Sequence, residues 1–181
     1  MTILSLWLPV IASAAVVFIA SAIIWTAMPW HRSDWQQTND EDAVRAALRS
    51  TRPGMYTVPN CKPQQFKDPV MQQKFIEGPQ AYITVVPSGV PKMGGKLLMN
   101  FVYNLIVAVL CAYIVSRTMA PGSEYLAVFR ISGTVAFIAY GVAYIQESIW
   151  FGRDWRLTVK TFVDALIYAV LTGGMFGWLA V

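Results

Sequence analysis

Charge is scarce in this sequence, and it is missing unevenly. Only 13% of the 181 residues are Asp, Glu, Lys or Arg, against roughly a quarter in an ordinary soluble domain. None falls in residues 1–31; they are dense over 32–96 and thin out again from Leu97. A chain whose segments lie in two different solvents gives this pattern. Strong metal ligands are scarcer still, with His31 the lone histidine and Cys61 and Cys111 the two cysteines. A metal or haem site needs several such ligands converging on one point. These three have neither helical nor hairpin spacing, so no cofactor or metal site is read from them. One cysteine lies in a polar stretch and the other in an apolar one, which leaves no evident disulfide pair.

Nucleotide-binding loops are missing as well. Gly89, Gly94, Gly95 and Lys96 superficially resemble a phosphate loop. A Walker motif, however, places four residues between its first glycine and Gly-Lys and follows the lysine with Ser or Thr. Here a further glycine intervenes and Leu97 comes next. The stretch reads as the entry to a membrane helix, with Lys92 and Lys96 at anionic headgroups.

What is present in excess is apolar length, since 56% of the residues are hydrophobic. A bilayer core about 30 Å thick takes around 20 apolar residues per helix, and the runs 3–28, 97–116, 125–150 and 161–181 meet that requirement. The expected fold is an all-α membrane protein with four transmembrane helices. It divides into a first helix (1–29), a small mixed α/β polar insertion (30–96) and a three-helix bundle (97–181, with helices at 97–119, 125–150 and 161–181). Ala20, Ser21 and Ala22 resemble a signal-cleavage site, but a signal peptide has a basic start and a short apolar centre. Residues 1–6 carry no Lys or Arg and the run continues through Trp25, so a retained helix is expected. Trp7, Trp25, Trp30, Trp150, Trp155 and Trp178 fall at helix boundaries, where indoles favour the headgroup layer.

A formal net charge of +4 does not call for nucleic acid, because basic membrane proteins owe such charge to orientation signals. Residues 152–160 hold Arg153, Arg156 and Lys160, whereas 117–124 hold only Arg117 as a base. Arg32, Lys92 and Lys96 lie on the same side as the three-charge loop. By the positive-inside rule that side is cytoplasmic and both termini are periplasmic.

Within the polar insertion, Asn39 is expected to cap a helix over 40–50, with acidic residues in its first turn and Arg45 and Arg49 later. Asp68 as cap, Pro69 at the first helical position and Gly78 beyond the end mark a second helix. The runs 55–58 and 82–86 are β-branched and aromatic enough to pair as strands. Seven prolines between Pro53 and Pro91 keep the rest extended and turning. A unit this small is not expected to be stable alone.

Charge within a membrane helix is expensive and marks a functional hypothesis. Arg130, Glu147 and Asp164 qualify. Arg130 lies near the outer end of the third helix, where it can snorkel, while Glu147 and Asp164 share the inner level. Asp164 can pair with Lys160 one turn before it, or with Arg153 or Arg156. His31, beside Trp30 at the surface, reads as an interfacial structural histidine. Together His31, Glu147, Arg153 and Asp164 form the candidate polar cluster. Asn100 and Asn104 are one turn apart in the second helix, placed to join helices. The most specific pattern is Ala165, Ala169, Gly173 and Gly177, a small-residue ridge that lets another helix approach closely.

Three stretches carry a resemblance: Trp30-His31-Arg32-Ser33-Asp34-Trp35 after the first helix, Tyr125-Leu126-Ala127-Val128-Phe129-Arg130 opening the third, and the ending of the fourth. On these, over nearly its whole length, the chain resembles a group of uncharacterised small bacterial inner-membrane proteins. The resemblance implies that membrane as its location and implies no activity. With no catalytic constellation, the expectation is a non-catalytic accessory or scaffolding subunit. Its partners would be the lipid bilayer and other membrane subunits or a second copy of the chain. One alternative is a small oligomeric channel or transporter using Glu147, Asp164 and Arg130. Another is an enzyme acting on a lipid or quinone near the cytoplasmic surface, with His31 and Glu147 as acid and base.

Overall fold

The structure, a computed structural model, describes residues 1–180. The chain is an integral membrane protein by the length and composition of four helical spans, Leu4–Thr26, Met93–Thr118, Tyr125–Trp150 and Trp155–Leu179. It separates into two units, one formed by residues 1–34 and 92–181 and the other by Trp35–Pro91.

In the first unit a short 3-10 turn leads into α1 (Trp7–Thr26). Lys92 precedes α4 (Met93–Thr118), and the third span begins as α5 (Tyr125–Phe137). Two of these bounds differ from expectation. The second span starts at Met93 because Met93, Gly94, Gly95 and Lys96 continue its helix. The fourth, α7, covers Trp155–Leu179, since the Asp154 carboxylate caps it by accepting from the Arg156 amide at 2.8 Å. Arg156 and Lys160 thus stand in the first turns of a helix, leaving a short link with Gly152 at φ 67°.

The third span is not one regular helix. After α5 the backbone passes through a π-helical turn, Ile138–Val142, before α6 (Tyr144–Trp150). Such turns insert one residue into a helix and recur at functional sites. Two contacts fit it here. The Tyr103 hydroxyl donates to the Ala139 carbonyl at 2.9 Å, and an added Cβ on Gly141 would stand 2.9 Å from the Ala165 Cβ.

The small-residue ridge of α7 faces the third span along its whole length. Ala165 meets Gly141, and the Ala169 carbonyl lies 3.3 Å from where a Gly133 Cβ would be. A Cβ on Gly173 would come within 2.9 Å of the Phe129 carbonyl oxygen, and one on Gly177 within 2.8 Å of the Tyr125 ring. Ala165, Ala169, Gly173 and Gly177 are all buried. Without a hydrophobic force between helices in lipid, close van der Waals contact of this kind holds them together. α1 and α4 complete the bundle through Ala14, Val17, Val107, Ala108, Cys111 and Val115, all at most 2% exposed.

The second unit pairs β1 (Gly54–Val58) with β2 (Ala81–Val85) in antiparallel register, Gly54 opposite Val85 and Val58 opposite Ala81. It also contains α2 (Glu41–Leu48) and α3 (Pro69–Glu77). The strands and the Asp68, Pro69 and Gly78 boundaries of α3 follow the sequence reading. The cap of α2 does not: Asp40, not Asn39, accepts from the Ala43 amide at 2.8 Å, because its carboxylate reaches the third helical residue. No residue from 35 to 91 is buried, as expected for a unit this small.

The ridge gives a direct test. Gly173→Ala should lower the thermal unfolding temperature in detergent, with overpacking of about 1–3 kcal/mol. Gly174→Ala, whose Cβ would meet only the Tyr125 hydroxyl at 3.9 Å, should leave it nearly unchanged. Equal effects of the two would count against the packing described.

Candidate functional site

Beyond α1 the chain makes a 3-10 turn over Pro29–His31, with proline in its first position. The Asp34 amide then donates to the His31 carbonyl at 3.2 Å, which folds Asp34 back beneath the imidazole. His31 Nδ1 lies 2.6 Å from Asp34 Oδ2, and Nε2 lies 2.9 Å from Asp164 Oδ2 on α7. One helical turn before Asp164, the Lys160 ammonium donates to Asp34 Oδ1 at 2.5 Å, to the Trp30 carbonyl at 2.5 Å and to Ser33 Oγ at 3.3 Å. The Trp25 indole stacks flat on the imidazole, centroids 4.0 Å apart and planes 7° from parallel, while Trp30 meets it edge-on.

The side chains of His31 and Asp164 are each 5% exposed and that of Asp34 is 9% exposed. A neutral imidazole donates from one nitrogen only. Two bonds to carboxylates therefore fit an imidazolium, or a neutral ring with one carboxyl protonated. With the imidazolium, two positive groups (His31, Lys160) balance two negative ones (Asp34, Asp164), and a low-dielectric site carries no net charge. Burial by itself would raise the Asp34 carboxyl. The hydrogen bonds from Lys160 and His31, reinforced by their positive charge, overcome it and hold that carboxyl below its ordinary value of 3.8. The two ring nitrogens point in opposite directions, so the carboxylates bracket the imidazole and do not converge with it. Among the described residues no three His, Cys, Asp or Glu side chains are grouped to hold a metal ion.

Asp164 also borders a cavity of about 470 Å³, within the range of small-molecule sites. Its walls come from the end of α1 (Phe18, Ala22, Trp25), the start of α4 (Lys96, Asn100, Tyr103, Asn104), the π turn and α6 (Tyr140, Tyr144), and α7 (Thr161, Tyr168). It therefore lies at the end of the bundle where α1 finishes and α4 begins. Arg153 stands at its edge, donating to Thr161 Oγ1 at 2.8 Å with its guanidinium 4.8 Å over the Tyr144 ring. The Tyr140 hydroxyl donates to Asn104 Oδ1 at 3.2 Å, and the Tyr140 ring meets Tyr103 and Tyr168 edge to face.

Of the four residues in the expected cluster, the structure joins His31 to Asp164 and sets Arg153 on the wall of the same cavity. Glu147 is exposed, its carboxylate free of any hydrogen bond or ion pair, and it does not line the cavity. Arg130 is likewise exposed on α5, close to its start. The expected pairing of Asp164 with Lys160, Arg153 or Arg156 gives way to His31, because the turn after α1 presents the imidazole and Asp34 to two successive turns of α7. Sequence reasoning missed Asp34 and the tyrosines. The three-residue spacing of His31 and Asp34 was the available signal for the first. No sequence signal marks the tyrosines, which α4, the π turn, α6 and α7 bring to one cavity from four separate elements.

Two outcomes follow. A carboxyl whose folded pKa lies below its unfolded value stabilises the fold above the unfolded value and loses that contribution as pH falls through the folded one. The stability gap between the wild type and Asp34→Asn, measured by thermal unfolding in detergent, should be widest near neutrality and narrow below about pH 4; a gap independent of pH would contradict it. His31→Leu should destabilise by on the order of 3 kcal/mol by stranding a buried carboxylate, and His31→Leu with Asp164→Leu by less than the sum of the two single changes. Compared with protein-family models, with curated proteins and with solved structures, the chain gives no match.

Proposed function

We propose that this chain is a ligand-binding membrane protein, whose bundle receives the head of a small membrane-soluble amphiphile in the cavity beside Asp164. One observation carries the reading: a buried carboxylate, held by His31, forms part of the wall of a roomy, aromatic-lined space within the spans. Such placement of a charge is costly in a membrane and marks functional sites. Apolar walls with a few fixed polar groups are what amphiphile recognition requires. Phe18, Ala22 and Leu97 supply a route for a tail toward lipid, and Lys96 and Arg153 stand where a polar head would pass.

The other readings find less support. The ridge that motivates an accessory or scaffolding subunit is occupied inside the chain by the third span, so it favours no partner. A channel or transporter needs a path across the bundle, and the half beyond the cavity is filled by Ala14, Val107, Cys111, Val128, Ala136 and Phe176, all at most 1% exposed. Acid and base work by His31 and Glu147 lacks a second group, since Glu147 does not line the cavity. The reading is therefore of a binding protein without catalysis, set in a bacterial inner membrane with its polar segment cytoplasmic.

Native mass spectrometry of the chain released from mild detergent should show one bound amphiphile. Ala22→Phe, which puts a ring into the cavity, should remove it while the protein stays folded. An empty wild type, or a ligand kept by Ala22→Phe, would overturn the proposal. For the orientation, Cys61 should react in intact cells with a membrane-permeant maleimide and not with an impermeant one, Cys111 being buried. Labelling by the impermeant reagent would reverse it.

A further inference from the structure

Four side chains on the cavity wall keep a buried polar atom without a partner, at Asp164 Oδ1, Asn104 Nδ2, Arg153 Nε and Tyr168 Oη, and the first two are of opposite kinds. His31 occupies Asp164 Oδ2, which leaves Oδ1, an acceptor, with no hydrogen bond. Tyr140 donates to Asn104 Oδ1, which fixes the amide so that Nδ2, a donor, is the atom left over. Asp164 is 4% exposed and Asn104 2%. Buried polar atoms without partners are rare and costly. Here both belong to residues bordering one cavity, contributed by α7 and α4, whose remaining lining is rich in aromatic rings.

We propose that the ligand belongs to the quinol class: a neutral ring amphiphile that offers a hydroxyl to Asp164 and an acceptor oxygen to Asn104. This rests on the reading of the cavity as a ligand site. Each chemical feature of the ligand answers one on the wall. The carboxylate takes an O–H donor and repels an anion, which disfavours a phosphate at this depth. The amide donor takes an ether, carbonyl or second hydroxyl oxygen. Tyr103, Tyr140, Tyr144 and Tyr168, with Trp25, give edges and faces suited to a flat ring. The two basic residues do not redirect the site toward an anion: Arg153 donates to Thr161 and lies over the Tyr144 ring, its unpartnered Nε being a further donor for an acceptor oxygen of the ligand, and Lys96 lies a full two turns before Asn104 on α4. The proposal concerns binding alone. The reduced ligand is preferred over its oxidised form because a quinone has acceptors for Asn104 and no donor for Asp164.

The test uses the full-length chain in detergent, titrated with a decyl-substituted benzoquinol, the matching benzoquinone and dioleoylphosphatidylglycerol, with binding read by calorimetry. The quinol should bind saturably and on the order of tenfold more tightly than the quinone, the effect of one charge-assisted hydrogen bond. Asp164→Asn should bring that ratio close to one. Asn104→Leu should weaken both ring ligands and leave the ratio in place. Should Asp164→Asn fail to fold, the wild-type ratio and the Asn104→Leu result still decide the matter. Equal affinity for quinol and quinone in the wild type would overturn the proposal, as would undiminished binding in Asn104→Leu. If phosphatidylglycerol binds and is lost in Ala22→Phe while neither ring ligand binds, the ligand class is wrong and the cavity reading stands. If no amphiphile binds the wild type, both fall.

Discussion

One imidazole, touched by a carboxylate on each side, organises an end of this bundle. Taking a charge out of water is expensive, and a charge left there alone more so. His31 hydrogen-bonds Asp34 and Asp164 together, and Lys160 brings a positive charge to Asp34. The four groups come from two places in the chain, the turn after α1 and the first turns of α7, so neutralising them joins those places. The flat stacking of Trp25 on His31 covers the ring and leaves it little freedom to leave. The same arrangement puts Asp164 at the cavity wall with one oxygen taken and one spare.

Packing is distributed unevenly along the bundle, and this gives the cavity its position. Toward the far end, Gly173 and Gly177 let Phe129 and Tyr125 approach the α7 backbone, and the space between spans closes. At the near end the facing residues are tyrosines, an asparagine and the charged group, which are too large and too polar to interlock in the same way. The π turn marks the change. It lies between α5, which is packed against the ridge, and α6, and its Tyr140 turns toward Asn104 instead of continuing the packed face. The open, polar-lined space at the near end thus lies among four spans, where α1 and α4 supply walls beside those of the third span and α7.

Several features could be read directly from the chain. Apolar runs of sufficient length identify spans because the bilayer core sets a minimum length, and Asp68, Pro69 and Gly78 delimit α3 because cap, first turn and exit each require a particular backbone chemistry. Helix starts at Met93 and Trp155 were harder to see. Hydropathy falls before the helix does when its first turns contain Lys96, or Arg156 and Lys160, since a helix can extend beyond the apolar layer. Asp164 was visible as a costly charge, but Lys160 four residues earlier looked like its natural partner, and helical spacing cannot show that a distant turn offers each a better one.

The sequence by itself determined the solvent of each segment, the number of spans, the ridge of small residues and the presence of a charge needing neutralisation, because composition and period act locally along the chain. Tertiary structure alone decided that His31 and Asp164, 133 positions apart, share a hydrogen bond, that the ridge is used within the chain, and that Asn104, Tyr140 and Asp164 border one cavity. Those are distances between segments. In a membrane bundle they follow from how closely two helix faces can approach and from which charges must meet, and neither is written in any single stretch of residues.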